Sequence, residues 1–176
     1  MSDGVLQRNV SNHLDAIDLC RTNHLRMPAL ILIYSSIDIF AALDRPNDKL
    51  DVTRQDFLNW CENYLETSGF VQCQAIDLYS ARCSVIHTST SESALSRRGE
   101  ARKVVYAWGN RKSKDLLDVI DRSGIKTHVV VHIDELAKSL RAAAADFLEK
   151  TAADPIRWAL VLERSREFFD EHSEPI

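Results

Sequence analysis

The stretch Leu78-Tyr79-Ser80-Ala81-Arg82-Cys83-Ser84-Val85-Ile86-His87 decides how this chain is read. It has the period of a helix and puts a charge where that helix should be apolar. Counting from Ala75, apolar side chains fall at Ala75, Leu78, Tyr79, Val85 and Ile86, the i, i+3, i+4, i+10 and i+11 positions of one face. Position i+7 is Arg82. A guanidinium cannot shed its charge, so aiming one at a core is costly without a partner. Such an arginine has either a buried partner or a chemical role. His87 follows it, a side chain able to move protons near neutral pH.

The chain around this segment reads as helical. Residues 5–24 form an amphipathic helix with Leu6, Val10, Leu14 and Ile17 inward. Met27-Pro28 restarts the chain, since proline suits a first helical turn. The helix over about 28–43 is apolar nearly all round, which makes it central. Arg45-Pro46-Asn47-Asp48 is a turn. Thr53 caps a third helix with Asp56 three residues on, and Phe57, Trp60, Cys61 and Tyr64 line its inner face until Gly69 ends it. The fourth helix, about 72–88, carries Arg82 and His87.

After Thr88 to Ser93, a loop or a helix start, the period changes. Lys103 to Trp108 reads as a strand ending at Gly109-Asn110. Ser113 to Ser123 is a short helix closed by Gly124. Ile125 to Ile133 is a second strand, with Ile125, Val129, Val131 and Ile133 on one face and Lys126, His128 and His132 on the other. Asp134 caps a helix through about Lys150, burying Leu136, Leu140, Ala143 and Phe147. Asp154-Pro155 starts the last helix, which buries Trp158, Val161, Leu162 and Phe169. The expected architecture is mainly α: a helical bundle with a small two-stranded β insertion and two closing helices. It forms one domain over 1–176, with its helical core at about 5–95, the insertion at about 101–133 and the closing helices at about 134–172.

Bulk properties agree. The chain has 176 residues, 45% hydrophobic and 27% charged, enough for one sizeable core. A net charge of −4 argues against a general polyanion binder. The N-terminus shows no secretory pattern, and the apolar run Ala29–Leu43, broken by Ser35, Ser36 and Asp38, reads as a buried helix and not a membrane span. Cys20, Cys61, Cys73 and Cys83 lack metal or disulfide spacing, which suits a cytoplasmic protein with reduced thiols and no metal or other cofactor. His128 and His132, four apart on a strand, sit about 13 Å apart, too far for one ion.

Spacing alone does not single out Arg82 and His87. Arg8 and His13 share it, and Arg122–His128 and Arg166–His172 come close. Context does: Arg8 lies off its apolar stripe and Arg82 lies on its own. On an ideal helix Arg82 and His87 point about 140° apart, so they converge only if Arg82 reaches round or a second chain contributes. Asp38, equally misplaced in Ile37-Asp38-Ile39-Phe40, is the natural ion-pair partner and would orient Arg82.

Four helices with LYSARCSVIHT on the fourth resemble the HEPN superfamily, whose signature is an Arg-x(4–6)-His motif on a late helix. The resemblance covers about residues 5–95 and carries over to Arg82 and His87 only. It implies an up-down helical bundle that commonly forms a homodimer, bringing two motifs together across a groove. Many members are metal-independent endoribonucleases; others are non-catalytic RNA or nucleotide binders. The residue after the arginine, usually polar in that family, is Cys83 here. In an enzyme of this kind neutral His87 would take the proton of the RNA 2′-hydroxyl or donate one to the leaving 5′-oxygen, while Arg82 stabilises the phosphorane. The products would end in a 2′,3′-cyclic phosphate. The alternative is a non-catalytic module for a protein or nucleotide partner, with Asp38–Arg82 purely structural.

Possible RNA contacts are local. Residues 97–114 carry Arg97, Arg98, Arg102, Lys103, Arg111, Lys112 and Lys114 against Glu100 alone, a local +6. Tyr106 and Trp108 lie between them, as in sites that track phosphates and stack bases. Arg97, Arg98, Arg102, Lys103 and Trp108 are the candidate contacts. A solvated strand edge blunted by basic residues, or a dimer contact, would look the same.

Overall fold

A computed structural model describes residues 3–88 and 92–168. The fold is mainly α, with one small sheet. Helix α1 (Asp3–Thr22) buries Leu6, Val10, Leu14 and Ile17, the stripe its 3.6-residue period lays down. Helix α2 (Arg26–Asp44) begins ahead of the Met27-Pro28 boundary, leaving Pro28 inside the first turn, where its missing N–H costs nothing. His24, at φ 58°, makes the reversal between the two helices.

Helix α2 is the axis of the molecule. It touches α1, α3 (Arg54–Trp60), α4 (Ala75–Thr88), α7 (Ile133–Ala152) and α8 (Pro155–Phe168). At 19 residues it is long and apolar enough to cross a bilayer by length and composition, so length does not decide against a span. Its packing is that of a core helix: Ile33, Tyr34, Ile37, Phe40 and Leu43 are buried against neighbouring helices. Phe40 stacks on Trp60 with ring centroids 5.2 Å apart, and Phe147 of α7 closes on Phe40 at 5.9 Å. Full burial of each such ring contributes about 2–3 kcal/mol.

Asp56 accepts the N–H of Thr53 at 2.8 Å and its hydroxyl at 2.6 Å, fixing the start of α3. The helix then widens into a π-helical turn over Cys61–Glu66, and the chain turns out through Gly69 at φ +90°. Short helix α5 (Ala94–Arg97) is capped by Ser93, whose hydroxyl also meets that of Ser80 at 2.6 Å; Ser89 and Ser91 lie outside the described residues. At the far end Asp154 accepts the amides of Ile156 and Arg157, starting α8. Val161 is buried, Trp158 and Leu162 partly so, and Phe169 lies outside the described residues. Arg164 reaches from α8 to donate to the Leu43 carbonyl at 2.9 Å and the Arg45 carbonyl at 2.6 Å, capping the end of α2.

The insertion is a parallel β-α-β unit: β1 (Lys103–Ala107), α6 (Ser113–Arg122), β2 (His128–His132). Val104 pairs with Val129 and Tyr106 with Val131. These four face the helical core, while Val105, Ala107 and Val130 face Leu116 and Ile120 of α6. Both faces of the sheet are therefore covered, as parallel sheets require. The second strand is shorter than the apolar pattern suggests. Ile125 stays outside it, 41% exposed, and Ile133 already belongs to α7. Nor does Asp134 cap α7. His132 does, its Nδ1 accepting the Asp134 N–H at 3.2 Å. The reason is that α7 starts at Ile133, so Asp134 falls inside the first turn, where its carboxylate binds Arg21.

Candidate functional site

Helix α4 centres its buried face on Ala75, Leu78, Ala81 and Val85, with Asp77, Ser80 and Ser84 also buried. Tyr79, Arg82 and Ile86 flank that face and are half-buried. Arg82 thus sits at the edge of the seam and not on its centre, because Ala81 takes the inward position. The edge placement lets the guanidinium reach sideways.

Two groups meet it. Arg82 Nε donates to Asp38 Oδ2 of α2 at 2.8 Å. Its Nη1 lies 3.3 Å from His87 Nε2. Arginine has donors only, so this geometry makes His87 Nε2 the acceptor and puts the ring's proton on Nδ1. The arginine has reached round the helix to a histidine that helical geometry alone would put on another face. The resulting array runs Asp38–Arg82–His87 from half-buried to exposed, with side-chain exposures of 26% for Asp38 and 23% for Arg82.

The two partners respond differently to this contact. Burial pushes the Asp38 carboxyl above its ordinary range, and the Arg82 hydrogen bond and charge only partly reverse that. Arg82, whose burial alone would weaken its charge, is held further protonated by Asp38 and by Cys83. Both statements stand together: the carboxylate loses more hydration than one arginine nitrogen returns. Asp38 orients Arg82 through its single bond to Nε.

Beside this array the Cys83 thiol interacts with both Arg82 and Tyr79. The Tyr79 ring packs edge-on against Phe57 at 5.4 Å and carries Arg54 over its face at 5.6 Å. Arg54 extends the positive surface next to the array. It belongs to the first turn of α3, and only the packing of α3 on α4 brings it near. No local pattern in the chain announces it.

The basic segment does not form one stripe. Arg97 is exposed on α5. Arg98 pairs with Glu100. Arg102 is bound into the fold: Asp77, buried, accepts its backbone N–H at 2.7 Å, its Nε at 3.0 Å and its Nη2 at 2.6 Å. Lys103 is half-buried in β1. Trp108 packs partly into the core with Arg26 over its ring at 5.4 Å. Tyr106 points inward, its hydroxyl 2.6 Å from that of Tyr34, and offers no surface for a base. Burial drives both phenols well above their ordinary range. Arg111, Lys112 and Lys114 stand at the other end of β1 from Arg97 and Arg98.

Compared with known families, curated proteins and solved structures, the chain gives no significant match. Among the described residues no three His, Cys, Asp or Glu side chains gather as a metal site. The His128 ring faces the Thr127 hydroxyl, while His132 is held by the Gly109 carbonyl and the Asp134 amide. Cys61 and Cys73 are buried thiols whose ionisation burial suppresses strongly. What remains is a cation poised between a carboxylate and an exposed imidazole, an arrangement able to bind a phosphodiester and move its protons.

Proposed function

We propose that the protein is an RNA-directed, HEPN-like metal-independent endoribonuclease in which Arg82 and His87 act together. The observation that carries this reading is the 3.3 Å contact between Arg82 Nη1 and His87 Nε2. An incoming phosphate is a stronger partner for a guanidinium than a neutral imidazole is. Once it takes Nη1, the lone pair of His87 Nε2 is released beside the bound phosphate. His87 then accepts the 2′-hydroxyl proton as the 2′-oxygen attacks phosphorus. The P–O5′ bond breaks, the 5′-oxygen takes a proton from water as it leaves, the proton on His87 returns to solvent, and a 2′,3′-cyclic phosphate remains. Arg82 carries the developing charge, and Asp38 holds Nε so that the fork cannot rotate away. A homodimer would set two such arrays across one groove.

A second reading is favoured by the 2.8 Å Asp38–Arg82 bond, which joins α2 to α4 and would suit a non-catalytic module for a protein or nucleotide partner. One experiment separates the two: incubation of a mixed RNA pool in EDTA with wild type, Arg82→Ala and His87→Ala. The nuclease reading expects cyclic-phosphate products from wild type and none from either variant, both still folded by circular dichroism. Inert wild type, or undiminished cleavage by His87→Ala, overturns it.

A further inference from the structure

Beyond the carboxyl ends of the two parallel strands lies an open cleft of about 580 Å3. One wall is the segment from Gly109 to Lys114 that leads from β1 into α6; the other is the start of α7, His132 to Glu135. The topology explains its position. Helix α6 covers one face of the sheet, and α7 packs in the core on the other. The chain leaving β1 and the chain leaving β2 therefore diverge. In open parallel sheets such divergence opens the crevice where ligands bind.

The two walls are tied together. His132 Nε2 donates to the Gly109 carbonyl at 3.0 Å, crossing from one to the other. Gln72 accepts the His132 amide at 2.7 Å while its own amide donates to Glu135 and to the Ser113 hydroxyl. A cleft braced in this way is organised before any ligand arrives, which lowers the cost of binding.

Charge decides what it would hold. Both acids of the cleft are already engaged. Asp134 receives Arg21 through Nε at 2.8 Å and Nη2 at 2.6 Å, and Glu135 receives Gln72. The cations Arg111, Lys112 and Lys114 are exposed and have no side-chain hydrogen bond or ion pair among the described residues. Arg21 offsets Asp134, and the three unpaired cations outweigh the charge that Glu135 keeps behind its neutral Gln72 donor, so the balance of the cleft favours an anion. Arginine's planar fork fits a tetrahedral oxyanion through two bonds, and two lysines supply point charges. The volume exceeds one oxyanion and falls in the range of small-molecule sites.

We propose that this cleft binds the phosphate group of a small phosphorylated metabolite through Arg111, Lys112 and Lys114. The site is independent of the Arg82 array and stands whether or not the protein cleaves RNA. Calorimetric titration of the full chain at fixed ionic strength, with ribose 5-phosphate, inorganic phosphate and ribose as probes, tests it. Both phosphates should bind saturably and ribose should not. The Lys112→Ala/Lys114→Ala variant and Arg111→Gln should each weaken binding about tenfold or more, since each removes charge-assisted bonds. Lys126→Ala, the same charge change as Arg111→Gln but beyond the opposite end of β2, should leave binding unaltered. Equal loss in Lys126→Ala, no saturation below about 10 mM, or binding of a short RNA without binding of ribose 5-phosphate overturns the proposal.

Discussion

Helix α4 carries one arginine–carboxylate pair at its start and another at its middle, and the two are built differently. At its start Asp77, 1% exposed, accepts three donors from Arg102 and the Gln74 amide as well. The carboxylate is saturated: the three Arg102 bonds fasten the chain entering β1 to the bundle, and the Gln74 bond fixes the start of α4. At its middle Asp38 of α2, 26% exposed, takes one nitrogen of Arg82, whose next nitrogen is turned to His87. A pair whose hydrogen-bonding capacity is used up holds structure. One left open has capacity for a substrate. Sequence spacing does not make this distinction, but the count of donors on each carboxylate does.

The comparison can be broken most forcefully at Asp77. Asp77→Ala orphans two backbone amides and unfastens Arg102, and should cost about 3 kcal/mol in urea unfolding. A loss below about 1 kcal/mol would make Asp77 no more structural than an exposed pair. The Asp38→Asn, Arg82→Gln double-mutant cycle should give a smaller coupling of about 1 kcal/mol, because this pair is part-solvated.

Titration sharpens the contrast further. The Asp38 carboxyl is raised, so its stabilising contribution is full at low pH and is lost as pH rises through its folded value. Asp56, by contrast, is held below its ordinary range. Burial would raise it, but the Thr53 hydroxyl and amide and Lys49 outweigh that. Its contribution is present at neutral pH and is lost on acidification. The stability advantage of wild type over Asp38→Asn should therefore grow as pH falls toward about 4, and that over Asp56→Asn should shrink. Parallel slopes in the two denaturation series would contradict the assignment. The smallest effect belongs to His87→Ala: the side chain is exposed, and unfolding should move by less than about 0.5 kcal/mol even where RNA cleavage is abolished.

The helical half was legible because its signals are local. Leu6, Val10, Leu14 and Ile17 repeat at helical spacing, and Asp56 stands three residues after the Thr53 it caps. Asp38 and Arg82 could be paired from sequence because each is a charge out of place in an apolar helix. Arg102 could not. It stands in a basic run and looks solvated, while its partner Asp77 lies 25 residues away in a helix start, where acids are common. The sheet was read as two strands, but parallel order depends on α6 crossing over, which no periodicity encodes. His132 looked like a surface residue of a strand. It caps a helix instead, because the strand ends where the helix begins.

The Arg164 contact has a consequence in time. During synthesis α2 emerges early, with Asp38 in its second half, yet the carbonyl of Leu43 finds its arginine donor only on α8. One end of α2 is finished by a helix more than a hundred residues later in the chain. A nascent chain stalled before α8 would carry Arg82 and His87 already in sequence, with the last turn of the helix that positions Asp38 still fraying. The Arg164 bond to that turn waits until α8 has been made.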